Sequence, residues 1–246
     1  PMDVTRLRFL IGWYIEKLRE VERNAAKSLD TSLDLSRLED LRRWGDFPVA
    51  HLLTLSRQVE AFRAPGIPGY LAYAVIGNTA ILVADPVSDQ PAQLLRCFYE
   101  WCKSEALSLC GLELRRRSAV VLRELGLAIN KLAVENYIDL RRYDPALRGT
   151  RGGIQAAREL RSIARRTGLA LIERPIDLVN PRDIFNLSDK WMARKKNTGE
   201  LRLLLRQIMT VPEPGVRYCF LRQKERLIGY IFFMPIYREG RIVGYL

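Results

Sequence analysis

Of the residue types that do chemistry near neutral pH, this sequence is short of the commonest. His51 is the single histidine. With no second histidine and no cysteine beside it, a zinc site and a Ser-His-Asp arrangement both lack parts, and a structural role is the simpler reading. Cys97, Cys102, Cys110 and Cys219 show no C-x-x-C spacing, and the first three fall in or beside one apolar segment. Free thiols placed this way act as small core residues of a protein kept in a reducing compartment. Neither a metal nor a cofactor is expected from this set.

Cations and carboxylates offer more. Arg158, Arg161 and Arg165 recur at helical spacing, and with Arg166 and the Arg194-Lys195-Lys196 run they could present a basic surface to phosphates. A solvated helix face is the plain alternative. The run Arg148-Gly149-Thr150-Arg151-Gly152-Gly153 stands between a strand and a helix, where backbone N–H groups can hold an anion. It lacks the Lys-Ser/Thr of a P-loop, and Arg151 stands where a Q/R-x-x-G-x-G/A pyrophosphate loop needs glycine, so a flexible connector competes with a phosphate contact. Asp85-Pro86, after an apolar run, reads first as a turn and helix start. Glu135 and Asp139 share one strand-like run, and Asp189, three residues after Asn186, reads as a polar site or a cap. Trp191 and Phe185, six apart on one helix, read as core.

The charge balance narrows the partners. Forty Lys and Arg against 28 Asp and Glu give +12, which favours encounter with polyanions, whether nucleic acid or an anionic membrane surface. With 48% hydrophobic and 28% charged residues, a folded globular chain is expected. No stretch reaches the roughly 18 apolar residues of a bilayer span; the longest run, residues 227–237, is interrupted by Gly229 and Pro235. Arg6, Arg8, Glu16 and Lys17 crowd the one apolar patch near the N-terminus, which argues against a signal peptide. A cytoplasmic protein is expected, with the cytoplasmic face of a membrane as its possible place of work.

These side chains need elements to hold them. Apolar spacing predicts a helix over 3–27, a connector over 28–46, and a helix near 49–62. A tight hairpin follows at 70–76 and 79–84 around Gly77-Asn78. Beyond it come a helix at 91–108, a strand at 112–114, a helix at 117–125 and a strand across 132–140. The pattern then begins again, with a helix at 153–167, a strand at 169–173, helices at 182–196 and 200–209, and strands at 216–222, 227–234 and 241–246. The expected class is α/β with mixed sheets, divided into 1–46 (N-terminal helix and connector), 47–147 (first unit) and 148–246 (second unit). The second unit is expected to be incomplete, since it ends on a strand with no covering helix.

Local wording sharpens this. The run from Gly77 to Val87 is similar to the strand ending in G-D-P-V of the phosphatidylglycerol lysyltransferase C-terminal family, and residues 135–140 (Glu-Asn-Tyr-Ile-Asp-Leu) resemble its E-x-x-x-D-L strand. Arg158, ten residues before Gly168, is similar to the arginine of its next helix. Residues 187–192 with Lys195 resemble its S-D-x-W-L-x-x-K segment. Ala84 stands where that family has glycine and Met192 where it has leucine; its later D-L-M-R motif is expected at or beyond the end of the chain. The resemblance implies tandem GNAT-like acyltransferase units. It implies transfer of an amino acid from aminoacyl-tRNA to phosphatidylglycerol or a related lipid or small acceptor, with aminoacyl-tRNA and anionic phospholipid as partners and no cofactor. On this reading Arg158, Arg161, Arg165, Arg194, Lys195 and Lys196 contact tRNA or lipid phosphate, and Asp85, Glu135, Asp139 and Asp189 are candidate polar site residues. An acyl-CoA-dependent N-acyltransferase and a non-catalytic tRNA- or membrane-binding module are the alternatives.

Overall fold

The computed structural model describes residues 33–131, 133–140, 153–194 and 211–246. The expected helices at 3–27 and 200–209, most of the 148–153 loop, Lys195 and Lys196 lie outside them. By contact the chain divides into two compact units, Pro1–Ile129 with Met192–Val216 and Phe233–Leu246, and Asn130–Trp191 with Arg217–Phe232.

The first unit opens with a short 3-10 turn, Leu35–Arg37, and two helices, α1 (Leu38–Trp44) and α2 (Ala50–Thr54). A four-stranded sheet follows in the order β1 (Glu60–Phe62), β2 (Leu71–Ile76), β3 (Thr79–Val83) and β4 (Ser108–Leu112). The β2–β3 hairpin closes in two residues, pairing Ile76 with Thr79, and Gly77 at φ +59° supplies the positive φ that its first turn position needs. Helix α3 (Pro91–Ser104) carries the chain over the sheet, so that β4 lies parallel to β3 from Thr79↔Ser108 to Val83↔Leu112. A parallel pair requires such a crossover. Helix α4 (Arg116–Glu124) follows.

Strand alternation sorts the core into two layers. Ala72, Ala74, Ile76, Ile81 and Val83 pack toward Leu41, Phe47 and Leu53 of the N-terminal helices and loop. Leu71, Tyr73, Ala80 and Leu82 pack toward Leu94, Leu95 and Phe98 of α3 and Val121 and Leu122 of α4. A period of two on a strand buried on both faces places successive side chains in opposite layers. The last hairpin, β8 (Pro235–Arg238) and β9 (Arg241–Tyr245), also lies with this unit. Tyr237 is 2% exposed within the first layer, its N–H meets the carbonyl of Gly45 at 3.4 Å, and the N–H of Gly240 meets that of Arg42 at 2.9 Å.

In the second unit α5 (Gly153–Thr167) runs into β5 (Leu169–Glu173), which pairs antiparallel with β6 (Arg217–Gln223), with β7 (Arg226–Phe233) beyond it. Helix α6 (Pro181–Ala193) begins with proline, and the Asn180 side chain accepts the Arg182 N–H at 3.0 Å, a capped start of the usual kind. Ile176 and Ile184 are fully buried. The rings of Tyr218, Phe220, Tyr230 and Phe232 pack edge-on or stacked at 4.9–6.3 Å, and the Ser188 hydroxyl meets the Tyr230 hydroxyl at 2.8 Å.

Several expectations are corrected. The connector is partly helical, because Asp34 caps the turn by accepting the Ser36 N–H at 3.1 Å and Leu41 finds a fully buried place. The helix expected to reach residue 62 stops at Thr54, since the Ser56 hydroxyl takes the Gln58 N–H at 3.2 Å and turns the chain into β1. The strand expected at 112–114 is β4, ending at Leu112, and Glu113 at φ +54° breaks the extended run. The described part of 132–140 forms no strand; Val134, Tyr137, Ile138 and Leu140 are each more than 60% exposed. Alternation supplies a strand's faces but not the neighbour whose hydrogen bonds make it one. Phe185 and Trp191, expected in the core, are 41% and 53% exposed.

Candidate functional site

Among the described residues of the first unit, a cluster of charged side chains stands where the parallel strands β3 and β4 end. The Ala84 N–H, one residue past β3, donates to the Leu112 carbonyl at 2.9 Å, which carries the pairing to the last residue of β4. Ala84 then takes φ +65°. That left-handed turn is unfavourable for a residue with a β-carbon, and it swings the next carboxylate toward the start of α4. Asp85 is 1% exposed. Its Oδ1 accepts the backbone N–H of Arg115 at 3.1 Å, and its Oδ2 accepts Nε of the same residue at 2.6 Å.

Arg115 reaches on to Asp46, in the loop between α1 and α2. Its Nη2 lies 3.0 Å from Asp46 Oδ1 and its Nη1 donates to the Asp46 carbonyl at 3.3 Å, while the guanidinium sits over the Phe47 ring at 5.0 Å. Arg117 duplicates the pattern, with Nη2 3.3 Å from Asp46 Oδ1 and Nε 3.4 Å from Asp85 Oδ2. Burial alone would lower the pKa of Arg115; hydrogen bonds and charge from Asp85 and then Asp46 outweigh it and hold the guanidinium above its ordinary value. Asp85 thus has both oxygens engaged and orients Arg115 and Arg117. The arrangement fixes three segments distant in sequence, the α1–α2 loop, the end of β3 and the start of α4, around one charge cluster.

The sequence marks Asp85 both as a turn residue and as a candidate polar site, while Asp46, Arg115, Arg116 and Arg117 are not singled out by its motifs. One signal was legible. Three consecutive arginines open α4 with no acidic residue in the first turn, although the N-terminal end of a helix dipole disfavours cations. A local rule broken this plainly points to compensation from elsewhere in the fold.

The other candidate residues lie apart from this cluster. Arg158, Arg161 and Arg165 are on α5, with Arg161 and Arg165 exposed; Asp189 is exposed on α6, and Arg194 is exposed just beyond it. Glu135 and Asp139 are exposed, and Glu135 accepts the hydroxyl of Tyr137, its neighbour on one side of an extended run. His51 is fully buried with Nδ1 3.9 Å from the buried carboxylate of Glu213. Among the described residues no three His, Cys, Asp or Glu side chains are grouped to hold a metal, and no helix is long and apolar enough to cross a membrane.

Comparison with known proteins adds an independent line. The profile of the phosphatidylglycerol lysyltransferase C-terminal family matches residues 38–244. A search of curated proteins finds no match. Among solved structures the chain is similar to L-PGS from Bacillus licheniformis, with a TM-score of 0.68 and 19% identity over 89% of this chain and 67% of that one. It is also similar to a C-terminal domain from Agrobacterium fabrum described as a lysylphosphatidylglycerol synthetase, with a TM-score of 0.61 and 19% identity over 82% of this chain and 63% of that one. The chain thus spans about two thirds of each solved relative. At this identity the likeness establishes the fold, mixed α/β with several sheets and GNAT-like.

Proposed function

The chain belongs to the phosphatidylglycerol lysyltransferase C-terminal family, and from that membership we propose that the intact protein aminoacylates a membrane lipid, taking the amino acid from aminoacyl-tRNA. The hydroxyl of a phosphatidylglycerol headgroup, or of a related acceptor, attacks the carbonyl carbon of the aminoacyl ester. A new ester forms, the ester bond to the tRNA ribose breaks, and the proton of the attacking hydroxyl ends on the departing ribose oxygen. The reaction needs no cofactor, and the protein's part is to hold two anionic substrates together and stabilise the tetrahedral oxyanion. The observation that carries the reading is the family match over 38–244.

The net charge of +12 supports two anionic substrates, tRNA and a lipid at an anionic membrane surface. The exposed arginines of α5 and Arg194 are the proposed phosphate contacts, and the cytoplasmic face of a membrane is the proposed place of work. Turnover of radiolabelled aminoacyl-tRNA with phosphatidylglycerol vesicles tests the proposal: labelled lipid supports it. A second reading, a binding module without chemistry, draws on the cluster at Asp85, where both carboxylate oxygens are already engaged. Tight binding of tRNA or lipid with no labelled product from the intact protein would favour it. Turnover with acyl-CoA in place of aminoacyl-tRNA would overturn both.

A further inference from the structure

We propose that the first turn of α4 is a binding site for the phosphodiester of a lipid headgroup, and that Asp46 occupies the oxyanion's place in the ligand-free protein. Arg115, Arg116 and Arg117 take the cap and first two positions of this nine-residue helix, with no acidic residue in the turn. Two of the three guanidiniums, those of Arg115 and Arg117, meet the two carboxylates, and Arg116 is exposed and makes no ion pair among the described residues. A single oxygen, Asp46 Oδ1, bridges Nη2 of Arg115 at 3.0 Å and Nη2 of Arg117 at 3.3 Å. One acceptor between two guanidinium forks is how a phosphate oxygen is bound. Asp46 is the more exposed carboxylate, at 31% against 0% for Asp85, so it is the one a ligand can displace while Asp85 keeps the arginines aimed.

A second observation is independent of the arginines. Ser118, third residue of α4, is 2% exposed, and its hydroxyl has no hydrogen-bond partner among the described residues. Buried hydroxyls are seldom left so. Ser118 belongs to the same first turn of α4 as Arg116 and Arg117. The cluster is one helical turn wide, which suits one phosphodiester and not the extended track that an RNA backbone follows. The inference rests on the lipid-aminoacylation reading for its choice of ligand.

The test is an NMR titration of the 246-residue chain with glycerophosphoglycerol, with inorganic phosphate and tRNA as separate arms. Saturable shifts of the residue 115–118 amides with glycerophosphoglycerol are expected. Asp46→Asn should tighten binding about fivefold by removing the internal competitor, and Arg116→Ala should weaken it by a similar factor. A merely structural clamp would not bind more tightly on losing Asp46. Arg116, exposed and outside the pairs made by Asp46 and Asp85, keeps the test open should Asp46→Asn fail to fold. Four results would overturn the proposal: no shift at these amides, indifference to Arg116→Ala, weaker binding by folded Asp46→Asn, or saturation by tRNA alone. Shifts with phosphate but none with glycerophosphoglycerol would mean an adventitious ion only, and would also overturn it. Binding is read without turnover, so loss of aminoacyl transfer with this binding intact would count against the proposed reaction and leave the site standing.

Discussion

Ala84 stands at φ +65° where a β-carbon is costly, and it is wholly buried as well. Replacing it by glycine would release roughly 1–2 kcal/mol of left-handed strain. It would also give up about 0.8 kcal/mol of methyl burial and about 0.4–1 kcal/mol through the freer unfolded chain. The terms nearly cancel, so Ala84→Gly should lie within about 1 kcal/mol of the parent in urea unfolding. Ala84→Val, bulkier and β-branched, has no such offset and should lose about 2 kcal/mol or more. If valine were tolerated as well as glycine, the left-handed turn would not be what aims Asp85. The two aspartates should also part company. Asp85→Asn removes a buried charge bonded twice to Arg115 and should cost about 2 kcal/mol, whereas Asp46→Asn loses a more exposed pairing and should cost less than about 1 kcal/mol. Equal losses in thermal unfolding would deny the distinction between the orienting carboxylate and the displaceable one.

Strands β5 and β6 are tied by a fork between Glu173 and Arg217, with both bonds at 2.7 Å. The Arg217 hydrogen bond, opposed by burial and helped by the Arg217 charge, leaves the carboxyl pKa of Glu173 below its ordinary value. A lowered folded-state pKa contributes stability that is fully present above the unfolded value and is lost as pH falls through the folded one. The Glu173 carboxyl carbon, followed by NMR, should therefore titrate below an ordinary glutamate, and in Arg217→Gln it should return toward it. A titration unchanged by that substitution would show that the fork does not hold in solution. Elements of this kind were largely legible in the sequence. The Gly77-Asn78 hairpin, the crossover helix after Pro91 and α5 closing on Gly168 each rest on local turn chemistry or periodicity, which a sequence carries. What escaped depends on partners far along the chain. Residues 133–140 alternate like a strand but find no ladder among the described residues, the helix begun at Ala50 is cut short when Ser56 takes a backbone N–H, and Asp46 meets Arg115 across 69 positions of sequence. A turn reading of Asp85 was locally sound; its burial against α4 is a tertiary fact.

Across the whole molecule, charge is the property that bears most directly on partners. An excess of +12 does not by itself choose a partner, but the exposed Arg161 and Arg165 of α5, with Arg158 on the same helix, localise part of it on one element. Arginines in the last turn also favour the C-terminal end of the helix dipole, so Arg165 and Arg166 have a reason to be present without any ligand. Salt dependence separates the two roles. If the three arginines neutralise phosphates, each releases counterions, and log K falls with log salt by roughly 0.7 to 0.9 per contact. Replacing Arg158, Arg161 and Arg165 together by Ala should then lower affinity for tRNA or for anionic vesicles and flatten the slope by about 2 to 3. Helix content should hold, since alanine is the better helix former. Fluorescence anisotropy across 50 to 300 mM salt would measure both quantities, about the range in which such contacts are most sensitive. A variant that binds as tightly, with the same slope, would return α5 to a solvated face whose arginines serve the helix alone. Loss of affinity at every salt concentration with no change of slope would implicate packing rather than phosphate contact.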